Sequence, residues 1–354
     1  MSTPSAYAAA GVDIEAGDRA VELMKQHVAS TRRPEVLGGL GGFAGFFDAS
    51  ALARYEHPVL ATSTDGVGTK VAIAQAMDVH HTIGWDLLGM LVDDLVVTGA
   101  EPLFVTDYIA CGRVVPERIA AIVSGIAAAC VAAGASLLGG ETAEHPGLLG
   151  ADEYDIAGAT TGVVERSKIL GPDRVRADDV VLGLASSGLH SNGYSLVRKV
   201  LLADAGWTLE RHVPDFGRTL GDELLTPTRV YAKDILALIE AVEVHAISHI
   251  TGGGLANNLV RVLPAGIAVT LDRSSWSPAP VFRTVQRVGG IAQADIEATL
   301  NMGVGMAVVL PASSVDGATA LLQGRGIDTW VLGGASVAPG EAASVMLRGT
   351  HPAA

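Results

Sequence analysis

Residues 65–70, Asp-Gly-Val-Gly-Thr-Lys, lie between a β-branched run at 59–64 and an alanine-rich run at 71–77, a succession that reads as strand, tight turn and helix. Gly66 and Gly68 allow the backbone to turn sharply and to approach a ligand closely. Asp65, Thr69 and Lys70 add a carboxylate, a hydroxyl and an ammonium group to the same turn. That set suits a metal-bound polyphosphate, with backbone N–H groups and Lys70 toward the anion and Asp65 toward the cation. The spacing is not that of the G-x-x-x-x-G-K-[ST] phosphate loop, and Asp-Gly is also an ordinary turn dipeptide.

A chain of 354 residues is long for one core, which predicts two domains. Hydrophobic residues at 49% and charged residues at 18% describe a well-buried globular protein. A formal charge of -14 and a pI near 5.1 argue against nucleic acid as a partner, while small phosphorylated ligands need only a local group of donors. Cys111 and Cys130 form no metal-ligand pattern; they fit a reducing compartment and read as buried filler. No basic region followed by an apolar core opens the chain, so no secretion signal is expected and the location is read as cytoplasmic. Residues 119–140 carry no charge, but they are mostly small, with Pro116 and Glu117 suited to a helix start and Gly134 to a stop. They are expected to be a buried helix followed by a strand at 135–138, not a membrane span.

Other stretches repeat the theme of apolar runs ending in polar turns. Residues 11–33 carry a helical pattern with Ala20, Val21, Leu23, Met24 and Val28 as its apolar face. Gly38, Gly39, Gly41, Gly42 and Gly45 follow, interrupted by Leu40 and Phe43, a composition suited to a flap that closes over a ligand or to a tightly packed turn. On the helix expected at 83–97, Asp86, Asp93 and Asp94 can lie along one face amid apolar neighbours, where carboxylates require a cation or donors. A strand at 103–109 precedes the uncharged helix, and the strand at 135–138 runs into Gly139, Gly140, Glu141 and Thr142, with Glu144 and His145 behind. After a strand at 154–164, residues 167–179 lose apolar periodicity, which places domains at 1–168 and 169–354. The second half restarts with a strand at 180–185. The donor-rich loop 186–195 with His190 then leads into a helix ending in Arg198 and Lys199. Strands at 244–250, 267–271, 304–310 and 329–333, with Gly252, Gly253 and Gly254 in a turn before another helix, predict a second α/β layer domain.

In this order the segments resemble the phosphoribosylformylglycinamidine cyclo-ligases, or aminoimidazole ribonucleotide synthetases, of purine biosynthesis, over nearly the whole chain. The resemblance rests on Arg32-Arg33-Pro34-Glu35-Val36 with the glycine flap, the turn at 65–70, Gly139 to Thr142, the loop at 189–199 and residues 249–254. Asp94, Gly99, Ala100 and Pro102 match the D-x4-G-A-x-P signature of a wider group of ATP-using enzymes. The resemblance implies an α/β fold with α+β character in the N-terminal domain, whose sheet pairs with its copy in a homodimer, and an ATP site at that interface. It implies ring closure of formylglycinamidine ribonucleotide with ATP, needing magnesium and, as a further family expectation, potassium. It assigns Asp65, Asp94 and Glu141 to the metal, and Lys70 to phosphate charge. Gly38, Gly39, Gly41, Gly42, Gly66, Gly68, Thr69, Gly139 and Gly140 fall to the nucleotide, and His190 to proton transfer, with Asp65 as a second candidate acceptor. Related sequences often have Asn where Asp93 stands, which leaves Asp93 unassigned.

Two other readings differ from this one in what they require. A selenophosphate synthetase needs a nucleophilic Cys or selenocysteine near the N-terminus, whereas the first cysteine here is Cys111; a hydrogenase maturation protein ends in a Cys, whereas this sequence ends in His351, Pro352, Ala353 and Ala354. A formylglycinamidine synthase needs a glutaminase apparatus that is not legible here. A catalytically silent nucleotide-binding subunit would have no need of Asp65, Lys70, Asp94, Glu141 and His190 together.

Overall fold

Exposure alternates along Pro58–Gly66, with Leu60, Thr62 and Thr64 outward and Val59, Ala61 and Ser63 more sheltered, which marks a sheet with one covered face. The computed structural model describes residues 11–352 apart from Leu40, Pro339 and Glu341, so the centre of the glycine flap at Leu40 lies outside the described residues. The chain divides into two compact units, Met1–Leu95 with Ala100–Arg166, and Val96–Gly99 with Ser167–Ala354.

The first unit holds α1 (Ile14–Ser30), the short pair β1 (Val36–Leu37) and β2 (Phe46–Phe47), β3 (Pro58–Gly66), α2 (Val71–Met77), α3 (His81–Val96), β4 (Glu101–Cys111), α4 (Pro116–Ala133), β5 (Ser136–Glu144) and β6 (Tyr154–Glu165). Its main sheet has the order β3-β6-β4-β5, antiparallel except for the β4–β5 pair, between which α4 is the crossover. The close seating of α3 comes from two glycines of β6. A methyl group on Gly158 would meet Leu91 at 2.8 Å, with Leu87 also near, and one on Gly162 would meet Leu95 at 2.3 Å. Leu87, Leu91 and Leu95 recur every four residues and so form one ridge of the helix. The expected uncharged helix is α4, with Pro116 at its start and Gly134 in a left-handed cap. Among the described residues it alone has the length and apolarity to cross a membrane, and half of it is buried inside the protein.

Three expectations change. The apolar face of α1 is not core: only Ala20 is buried, and Val21 and Leu23 are each 41% exposed. Neither β3 nor β5 ends where its polar residues begin, because β3 runs through Asp65 to Gly66 and β5 runs through Gly139 to Glu144. Of the α3 carboxylates, Asp86 and Asp93 are seven positions apart and share a buried face, while Asp94, about 100° further round the helix, is exposed.

The second unit contains β7 (Val180–Ala185), α5 (Tyr194–Arg198), the small pair β8 (His212–Val213) and β9 (Arg218–Thr219), α6 (Leu220–Leu224), α7 (Ala232–Ala241), β10 (Ala246–His249), α8 (Gly254–Leu259), β11 (Ile267–Asp272), α9 (Pro280–Gly289), α10 (Gln293–Glu297), β12 (Val304–Leu310), α11 (Val315–Gly324), β13 (Thr329–Val337) and β14 (Ser344–Arg348). Its six-stranded sheet has the order β10-β12-β7-β13-β11-β14, with only β11 and β14 parallel. Every residue of β10 and β12 is buried. The expected helix reaching Lys199 continues past α5 as a wider π-type turn over Lys199–Asp204, in which Lys199 pairs with Asp204 and stays exposed.

Candidate active site

Asp65 lies partly buried, and its Oδ1 accepts from the N–H of Gly66 at 2.7 Å, so the carboxylate braces the turn it opens. Lys70 occupies a different place from the one expected. It is fully buried, and its Nζ lies 2.7 Å from Oδ1 of the equally buried Asp86. In this conformation Lys70 neutralises a carboxylate of α3 and does not face a solvent-borne phosphate. Burial lowers the affinity of the ammonium for its proton, and Asp86 opposes that loss. The pair ties the glycine turn to the helix that carries Asp94.

The sheet register separates the acids assigned to one metal. Asp65 pairs with Gly158, Gly158 with Asp107, and Asp107 with Gly140, so Asp65 and Asp107 share a face of the sheet. Glu141 pairs with Tyr108 and belongs to the other face. Asp65 and Glu141 also occupy the two edge strands, three inter-strand steps or roughly 14 Å apart. Among the described residues no three His, Cys, Asp or Glu side chains converge on a metal position. Asp65, Asp94 and Glu141 therefore do not close on one ion within a single copy of the chain.

The glycine flap has a clamped base. Arg33 donates to the carbonyls of Pro102 and Gly134 and to Glu101, β1 pairs with β2, and Phe47 packs on Phe104 with ring centres 5.3 Å apart. Beyond the base, Gly38, Gly39 and Gly45 wall a cavity of about 230 Å³ that also holds Lys25 and Arg32. Gly41 and Gly42 wall another of about 290 Å³ together with Asp107, Gly139, Gly140 and Glu141. Val28 of α1 and Leu137 of β5 line both cavities. Ala20, Val21, Met24 and Val28 of α1 thus line cavities that the flap glycines also wall.

Sequence reasoning missed Asp107, which was hidden inside a strand pattern. Its carboxylate packs against Gly140, where even a methyl group would come within 1.9 Å of Oδ1. Burial pushes this carboxyl up to about 7, partly offset by a bond from its own backbone N–H. The two cysteines are free and buried as expected, and burial raises both thiols, Cys111 to about 11.

In the second unit β12 runs antiparallel to both β7 and β10, with Val304 opposite Ala185 and Met306 opposite His249. This brings the loops after β7 and β10 and the loop before β12 to one end of the sheet. His190 sits there with φ 61° and 1% of its surface exposed. The N–H of Ser187 donates to its Nε2 at 3.2 Å, so the neutral ring carries its proton on Nδ1. The ring packs near Tyr231, and Gly305 leaves room for both, since a methyl group there would lie 2.0 Å from the Tyr231 hydroxyl and 3.0 Å from His190 Cε1.

The first part of the chain matches the family described as AIR synthase related protein, N-terminal domain, over residues 47–164, and the second matches the corresponding C-terminal domain over 176–345. The phosphoribosylformylglycinamidine cyclo-ligase of Shouchella clausii is 51% identical over 329 residues, covering 93% of this chain and 95% of that protein. The protein of the same name from Brevibacillus brevis is 52% identical over 328 residues, covering 93% and 94%. Among solved structures, thiamine-monophosphate kinase from Stenotrophomonas maltophilia shares the fold with a TM-score of 0.68 at 20% identity, covering 93% of this chain and 96% of that one. The hydrogenase maturation protein HypE in complex with ATP does so with 0.66 at 18% identity, covering 97% and 94%.

Two measurements test the geometry of the first unit. Asp86→Ala takes a carboxylate away from the fully buried Lys70 ammonium and should cost about 3–5 kcal/mol in urea unfolding, most of it recovered in the double variant Lys70→Met/Asp86→Leu; a single-variant cost below about 1 kcal/mol would mean the pair contributes little. Asp107 supplies a pH signature. Unfolded, its carboxyl ionises near 4, so between about 4 and 7 the folded state alone keeps the proton and stability falls as pH rises. Asp107→Asn should therefore gain melting temperature relative to the parent between pH 5 and 8. A difference that stays constant across that range would place the Asp107 ionisation at its ordinary value.

Proposed function

The chain belongs to the phosphoribosylformylglycinamidine cyclo-ligase family, and from that membership we propose how its residues divide the work. The reaction is the ATP-dependent ring closure of formylglycinamidine ribonucleotide to aminoimidazole ribonucleotide, with release of ADP and phosphate. The observation that carries this reading is identity near one half over almost the full length of both chains. An amide oxygen is a poor leaving group. Phosphorylation lets it depart as phosphate when the amidine-side nitrogen attacks the activated carbon and closes the five-membered ring. Such a transfer asks a protein chiefly for positioning and charge neutralisation.

Nucleotide is assigned to the cavities under the flap, with Gly38, Gly39, Gly41 and Gly42 above and Gly139 and Gly140 beside it; Gly66, Gly68 and Thr69 contribute from the turn after β3. Magnesium borne on the triphosphate would neutralise the transferring group, and the exposed Asp94 and Glu141 with the partly buried Asp65 are the all-oxygen donors such a hard cation takes. No residue is assigned to potassium. Lys70 serves by holding the turn through Asp86. His190 is assigned to proton transfer at ring closure: with Nε2 accepting from Ser187, its Nδ1–H can donate to the departing phosphate, and Asp65 is the candidate acceptor for the proton that the attacking nitrogen loses.

A second copy of the chain completes the nucleotide site in this reading. The open face of the first sheet presents Leu60 at 61% exposure and Tyr108 at 42%, with Thr62, Thr64, Thr106 and Glu141 beside them, and apolar area of this kind favours self-pairing. A cytoplasmic location accords with the two free buried thiols.

Purified protein given ATP, magnesium and formylglycinamidine ribonucleotide should release one phosphate per imidazole ring without glutamine. Phosphate release with no imidazole product would point to a kinase-type enzyme, and no release would point to a silent subunit. Light scattering should give the mass of two chains for the parent and of one for Leu60→Asp; a monomeric, fully active parent would remove the second copy from the site.

A further inference from the structure

Left-handed backbone at a residue other than glycine is rare, and among the described residues it occurs at Asp78, His190 and Met302. Asp78 merely caps α2. The other two lie in loops at the same end of the second sheet, and a side chain binds those loops together. Asn301 is 2% exposed. Its Nδ2 donates to the Gly188 carbonyl at 2.9 Å, and its Oδ1 accepts from the N–H of Gly303 at 2.8 Å. Alongside, the N–H of Ser186 donates to the Gly303 carbonyl at 2.9 Å, and the Ser186 hydroxyl donates to the same Gly188 carbonyl at 2.8 Å. Met302 is held by its carbonyl, which accepts from Nε1 of the buried Trp276 at 3.0 Å.

Strained backbone persists only where its surroundings over-determine it. Here the side-chain amide of Asn301 spans the Gly188 carbonyl, two residues before His190, and the Gly303 N–H, one residue after Met302. An amide is required for that bridge, because one end must donate and the other accept. We propose that Asn301 is a positioning residue for ring closure, holding loop 186–193 in the form that aims His190, and this rests on the proton-transfer role assigned above to His190. Asn301 reaches the reacting atoms only through that loop, so its effect belongs in kcat and disappears when His190 is absent.

The test is a double-variant cycle on the full-length enzyme. Asn301→Asp keeps the volume and the acceptor but loses the donor to Gly188, and Asn301→Ala loses both. Each should lower kcat by about 10-fold or more while the KM for ATP stays within about 2-fold. In a His190→Ala background, itself slowed by roughly 10²-fold, adding Asn301→Asp should lower kcat less than about 2-fold further. Melting temperatures are taken for each variant, and the isosteric Asp variant carries the comparison if the Ala variant unfolds. Asn301 variants that turn over like the parent while His190→Ala is slow would overturn the positioning role alone. Full additivity of the two losses would also overturn it, since Asn301 would then act elsewhere. A His190→Ala enzyme with parental kcat would instead remove the proton-transfer role on which the proposal rests.

Discussion

The buried pair of Lys70 and Asp86 links the two halves of the N-terminal chemistry. A lysine ammonium without solvent is costly to bury unless a carboxylate meets it, and Asp86 meets it from 16 residues further along the chain. The consequence is geometric. The turn that opens with Asp65 cannot shift without dragging α3, and α3 is seated on β6 by Leu87, Leu91 and Leu95 against the bare backbone of Gly158 and Gly162. Asp94 is the one exposed residue between Thr82 and Val96 of the same helix, so its position is set by the burial of the residues around it.

The second unit solves an analogous problem with neutral groups. Its loops gather at one end of the sheet because β12 runs against both β7 and β10. Loops rich in glycine and small polar residues have much conformational entropy to lose on becoming ordered. Asn301 bridges two of them, and Asn258 ties down a third through the carbonyls of Thr251, Gly252 and Gly254. Hydrogen bonds of neutral amides give direction without the desolvation cost of a buried charge.

Divided functional groups follow from sheet geometry. Asp65 and Glu141 lie on opposite edges and opposite faces of a four-stranded sheet, and no side chain is long enough to reconcile them within one copy. The open face that carries Glu141 also carries Leu60 and Tyr108. Pairing of that face with a second copy would shelter this apolar surface.

Much of this was legible in the residues themselves. The β-branched run before Asp65, the alanine-rich run after Lys70, Pro116 ahead of α4 and Gly134 behind it mark elements because those preferences act within a few residues, and the order of the motifs identified the family. Partners distant in sequence were not legible. Helical spacing put Asp86, Asp93 and Asp94 together, but only tertiary packing decided which of them would be buried. Asp107 looked like one residue of a strand until Gly140 closed over it, and Asn301 looked like part of an ordinary turn until Gly188 arrived from more than a hundred residues away. Local preference determines where a strand or helix runs, whereas the desolvation of a side chain depends on what the rest of the chain brings against it, and that is decided only when the tertiary structure forms.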